Sequence, residues 1–188
     1  MAALGFLPGL RRDRHRPAAT ALYAAAVAAA RAPELFADIG IPDTVDGRFD
    51  SVSLFTILLI ERLRLSAEPG AALAQAVFDA MFRDMDMTLR EMGVGDPSMA
   101  LRMKAMWNAF HGRALAYRPA LVRGETAELA EALGRNVWRG GPAPSGAASA
   151  LAARVLAEAR HLAAQPLEAF VAGRAGFLPR SGGAGAGP

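Results

Sequence analysis

Apolar residues recur at intervals of three and four along almost the whole chain, and no long β-branched run alternates with period two. That spacing places the apolar side chains on one face of successive helices. The pattern predicts a helix over about 18–32, a short turn over 33–39 and a polar loop from Gly40 to Gly47. A helix over about 47–64 follows, apolar nearly all round and therefore expected at the centre. Further helices are predicted over 71–92, 97–117 (ended by Pro119), 125–138 and 147–164, with a last short turn over 166–172. The expectation is an all-α, single-domain bundle of about six helices without a sheet. It would span 18–178, with a basic flexible arm over 1–17, a Gly/Pro linker at 139–146 and a disordered tail over 179–188.

Local capping chemistry supports these boundaries. Asp43 and Thr44 offer side-chain oxygens to the amides that open the 47–64 helix. Gly93 is placed for a left-handed cap after the 71–92 helix, and Asp96-Pro97 reads as an N-cap with proline at the first helical position. Asp79–Arg83 and Asp86–Arg90 are i,i+4 pairs of the favourable orientation.

The segment Phe78 to Asp96, FDAMFRDMDMTLREMGVGD, stands out. Its inner stripe is Phe and Met, its outer face Asp and Arg. Apart from Met1, the methionines all fall between Met81 and Met106. Methionine is unbranched and polarizable, so such a cluster suggests either an adaptable core or a surface that grips varied apolar shapes.

Composition narrows the function classes. There is no cysteine among the 188 residues, which excludes disulfides, thiolate metal sites and cysteine nucleophiles. The net charge of +3 does not by itself imply nucleic acid, and no DNA partner is expected. Arg11, Arg12, Arg14 and Arg16 precede an Ala-rich run that superficially resembles a signal peptide. That run continues in helical phase toward Leu35-Phe36, so a first helix is the better reading, and no stretch is long enough to span a bilayer. Without interleaved aromatics, the basic arm reads as solubilising before it reads as an RNA- or lipid-binding element.

Several apparent motifs dissolve on inspection. Asp84-Met-Asp86-Met-Thr88 matches a phosphate-transferring DxDxT string, but in mid-helix its two carboxylates point about 200° apart. Asp43, Asp46, Gly47 and Asp50 lack the spacing of a calcium loop. His15, His111 and His161 lie in separate segments, so no helical pair of metal ligands exists. No nucleophile, base and oxyanion donor come together, and neither an enzyme nor a bound cofactor is expected.

Three further strings belong together: Gly40-Ile-Pro-Asp-Thr-Val-Asp-Gly-Arg-Phe-Asp50, then Phe78 to Asp86 with Leu89 to Asp96, then Phe110-His-Gly-Arg113 with Tyr117 and Ala120-Leu121. With Ala132-Leu-Gly-Arg-Asn136, and in this order, they resemble the ubiquinol–cytochrome c chaperone family over about Leu22 to Trp138. One departure is His111, where the family pattern has tyrosine. The resemblance implies an all-helical assembly factor for the cytochrome bc complex of respiration (complex III). Its expected client is newly made cytochrome b; the ribosome and a small helical partner are further partners that family members use. A cytoplasmic protein, either soluble or peripheral on the inner membrane, is implied.

Two sets of residues are singled out on that basis. Met81, Phe82, Met85, Met99, Met103 and Phe110 are expected to contact a partner, with Met87, Met92 and Met106, along a groove between the 71–92 and 97–117 helices. The competing reading is a methionine-packed core. Asp43, Asp46, Arg48, Asp79, Asp84, Asp86 and Arg113 form a candidate polar cluster, in which Arg48 would reach one of the helical aspartates. A helical carrier of an apolar small ligand, quinone or lipid, is the alternative function.

Overall fold

The computed structural model describes residues 8–139 and 141–179, with side chains from Arg14 onward, Pro97 excepted. They form helices α1 (Pro8–Ala30), α2 (Pro33–Ala37), α3 (Val45–Arg64), α4 (Gly70–Glu91), α5 (Asp96–Arg123), α6 (Thr126–Val137), α7 (Ala147–Ala163) and α8 (Leu167–Val171). No strand occurs among the described residues, so the fold is all-α.

α3 is the axis of the bundle. Its sequence is apolar on nearly every side, and Leu54, Phe55, Leu59 and Leu63 are all essentially inaccessible. α1 and α4 pack on it and on each other, α6 and α7 pair and also reach it, and α5 bridges α4 and α6. Thr44 opens α3 as anticipated, its hydroxyl oxygen accepting the Gly47 amide at 3.1 Å. Gly47 is required there by space, because a Cβ at that position would lie 2.0 Å from the Pro42 carbonyl oxygen. Gly93 takes the expected left-handed conformation (φ 78°) after α4, and Gly124 (φ 71°) does the same after α5.

Three boundaries depart from the sequence reading. α1 begins at Pro8, so the arm expected over 1–17 is helical from that point; its residues 1–7 lie outside the described part. Pro17 sits inside α1 with its ring exposed, while His15 and Ala19 on either side are buried and hold the segment in helical phase. α5 likewise runs through Pro119 to Arg123. A proline forfeits one hydrogen bond and crowds the preceding turn, and burial of Tyr117 and Ala120 on the inner side offsets that cost. Asp96 is the first helical residue rather than the cap, and its carboxylate receives Arg90 at 3.4 Å. The tail expected beyond Leu178 falls outside the described residues except for Pro179.

Candidate binding groove

Where the ends of α1 and α4 face the start of α3, the chain leaves a groove of about 930 Å3. Phe36 from α2 and Phe49 and Val52 from α3 line one side. Met85 and Leu89 from α4, with Met92 just after its end, line the other, and Met106 reaches in from α5. Tyr23 of α1 is buried in the floor, where its hydroxyl donates to Asp84 at 2.8 Å. Burial, and then the bond to Asp84, push the Tyr23 phenol far above its ordinary pKa. Charged groups sit at the rim: Arg31, Arg48 and Asp43. The Arg48 guanidinium bonds Asp43 at 2.6 Å and holds that carboxyl below its usual range.

The methionines divide between the two readings. Met81 is fully buried and Met85 and Met99 nearly so, which makes them core, Met85 where the core meets the groove. Met103 is half-buried against the core, and Met87 is exposed. Met85, Met92 and Met106 line the groove, with Met92 more than half exposed at its mouth. The crevice between α4 and α5, where sequence reasoning put the partner surface, is filled differently. Phe78, Phe82 and Phe110 meet there edge to face or tilted at 4.5–6.4 Å, beside a smaller cleft of about 370 Å3. Edge-to-face packing of three rings is rigid, whereas thioethers at the mouth of the larger groove adapt.

The candidate polar cluster separates into five places. Arg48 pairs with Asp43 and reaches none of the α4 aspartates. Asp79 accepts from Gln75 at 2.8 Å, Asp84 from Tyr23, and Asp86 from Arg90 at 2.8 Å. Arg113 lies elsewhere, buried against Asp50 at 2.5 Å with its guanidinium 5.4 Å from the Phe49 ring. Arg139 completes this second cluster, bridging Asp50 at 3.2 Å and Asp46 at 3.5 Å. Burial raises the Asp50 pKa, against the opposing pull of the two arginines.

Sequence reasoning missed Asp50, Arg139 and the α1–α2 wall of the groove. Asp50 carried a signal, because it is the one acid within the apolar inner part of α3. The far wall carried none, since Tyr23 and Phe36 become neighbours of Met85 only through packing. The apparent DxDxT string is dispersed as its helical placement required: Asp84 faces the groove, while Asp86 pairs along the outside and Thr88 is exposed.

The geometry defines a class: an all-α bundle with an apolar, charge-rimmed groove. Comparison with known proteins agrees with the class and sharpens it. The sequence profile of the family described as ubiquinol-cytochrome C chaperone matches residues 37–177. The crystal structure of the Cbp3 homolog from Brucella abortus is similar throughout, with a TM-score of 0.79 at 33% sequence identity, covering 93% of this chain and 96% of that one. No curated protein matches. The chain belongs to the ubiquinol–cytochrome c chaperone family. No helix among the described residues is long and apolar enough to cross a membrane.

Proposed function

We propose that this protein is an assembly chaperone for ubiquinol–cytochrome c reductase, working at the cytoplasmic side of the membrane. In this reading it holds newly made cytochrome b through the groove between α1, α2, α3 and α4. Family membership supports the assembly role. The observation that carries the groove is its lining: aromatic and aliphatic walls, methionines at the mouth and mixed charge at the rim. A client rich in apolar helices presents many side-chain shapes, and thioethers adapt to them without strain. Rim arginines and aspartates would orient the polar ends of such a segment. The ribosome and a small helical partner are further partners consistent with the family.

A photo-crosslinking side chain at Thr88, exposed on the groove wall, tests this in cells. Capture of cytochrome b from Thr88, and not from Arg135 on the outer face of α6, is the expected result. Normal complex III in a strain lacking the protein would end the assembly role. Dependence of complex III on the protein, without any Thr88 crosslink, would instead move the client off the groove. The groove volume is also within the range of small-ligand sites, so native mass spectrometry showing a stoichiometric quinone or lipid would favour a carrier.

A further inference from the structure

α5 shows an uncharged face to solvent where a surface helix ordinarily carries charge. Leu101, Ala105, Asn108, Gly112, Leu115, Pro119 and Val122 repeat at alternating steps of four and three, and every one is exposed. Leu101 (72%), Leu115 (64%) and Val122 (70%) are among the most exposed large apolar side chains of the protein. The opposite side of the same helix, Met99, Phe110, Tyr117 and Ala120, is buried in the bundle. The helix is thus apolar inside and out. By contrast, the outer face of α4 carries Asp79, Arg83, Asp86 and Arg90.

The charges that border this face are of one sign. Between Asp96 and Glu125 the chain has no acidic residue, while α5 alone holds five Arg or Lys side chains against a net charge of +3 for the whole protein. Arg113 is buried, Arg118 is engaged by Glu61, and Arg123 by Glu125 and Glu128. Arg102 and Lys104 flank Leu101, both exposed and without an ion-pair partner among the described residues. Trp107, about half exposed, stacks on His111 at 3.9 Å on the same side as Lys104. A half-exposed tryptophan at the edge of an aliphatic face, near cations without an ion-pair partner, is a composition that settles at a lipid headgroup boundary.

We infer that the outward face of α5 is a docking surface for an anionic lipid bilayer, with Leu101, Leu115 and Trp107 entering the headgroup layer and Arg102 and Lys104 meeting lipid phosphates. The shape favours a plane over a protein groove, since the face is a convex ridge along one 28-residue helix, about 42 Å long. The charge disfavours parallel pairing of α5 with a second copy of the chain, which would bring the unpaired Arg102 and Lys104 of both copies together. The proposal shares with the client reading only the location at a membrane, and it uses the opposite side of α5 from the groove-lining Met106.

The test is co-sedimentation of the purified full-length protein with vesicles, which needs no client. Vesicles of equal parts phosphatidylglycerol and phosphatidylcholine are expected to carry the protein down, and phosphatidylcholine alone to leave it in solution. Leu101→Glu with Leu115→Glu should abolish binding. Arg102→Ala with Lys104→Ala should weaken it roughly twentyfold, and more salt should do likewise. All four positions are exposed, so an unchanged melting temperature is expected to verify folding. Arg135→Ala on α6 should change nothing. Binding that survives the Glu variants but disappears with Arg11→Ala and Arg12→Ala would overturn the proposal in favour of the N-terminal arginines. Failure to bind anionic vesicles would overturn it outright, as would sedimentation showing that Leu101→Glu dissociates a dimer instead.

Discussion

α3 and α5 both lack the one-sided apolar stripe that α4 and α6 display. In α3 the cause is enclosure: helices pack around it, and Phe55, Leu59 and Leu63 have nowhere else to be. In α5 only one side is covered, and Leu101, Leu115 and Val122 face water. The same weak periodicity therefore marks two opposite situations, and exposure alone separates them. Helices apolar all round, such as α3, are ordinarily central; the spare apolar face of α5 is the one assigned above to a bilayer.

Substitutions should split the two helices by their effect on stability. Phe55→Ala in α3 is expected to cost about 3–5 kcal/mol through the cavity it leaves, seen as a large fall in the urea midpoint. Asp50→Asn, also in α3, should cost a comparable 3–5 kcal/mol, because Arg113 would remain buried without its counter-charge. An Asp50→Asn protein as stable as the parent would show the α3–α5 ion pair to be dispensable. Gly47→Ala should follow at about 1–3 kcal/mol, since its methyl would collide with the Pro42 carbonyl and push the loop off α3. Leu115→Ala and Leu101→Ala on α5 should shift stability by no more than about 0.5 kcal/mol. A large loss at either would mean that the outer face of α5 is packed after all.

A smaller effect is expected at high pH. Burial raises the pKa of both Tyr23 and Tyr117, the only tyrosines of the chain. The folded protein keeps these phenols protonated while the unfolded chain ionises near pH 10. The unfolded state then holds fewer protons, so stability is complete below that value and falls as pH rises above it. Tyr117→Phe should flatten the alkaline decline in melting temperature, and phenolate absorbance should appear only together with unfolding.

Much of the fold was legible because helical periodicity and capping are local. Thr44 and Gly93 act where their chemistry put them. Pro17 and Pro119 misled for a physical reason: a proline breaks a helix only when its lost bond is not outweighed by packing on the far side. The site was less legible. The methionine cluster was visible in the sequence, yet its division into core (Met81, Met99), a buried groove wall that also belongs to the core (Met85) and a more open groove edge (Met92, Met106) depends on what stands opposite each side chain. Arg48 was expected to reach aspartates on α4, but Asp43, five positions back in the chain, captures it. Charge pairing at the surface favours local partners, and a sequence cannot rank the distant ones.

The indole N–H of Trp138 donates to the Gly40 carbonyl at 3.0 Å, and Pro144 lies against Gly40 at the same point. Every side chain that lines the groove lies between Tyr23 and Met106. A fragment ending after α5 would thus contain the whole lining and still lack the strut that anchors one of its walls. The groove is not a detachable module: the loop after α6 is part of its scaffold, and a shortened chain should lose grip before it loses any contact residue.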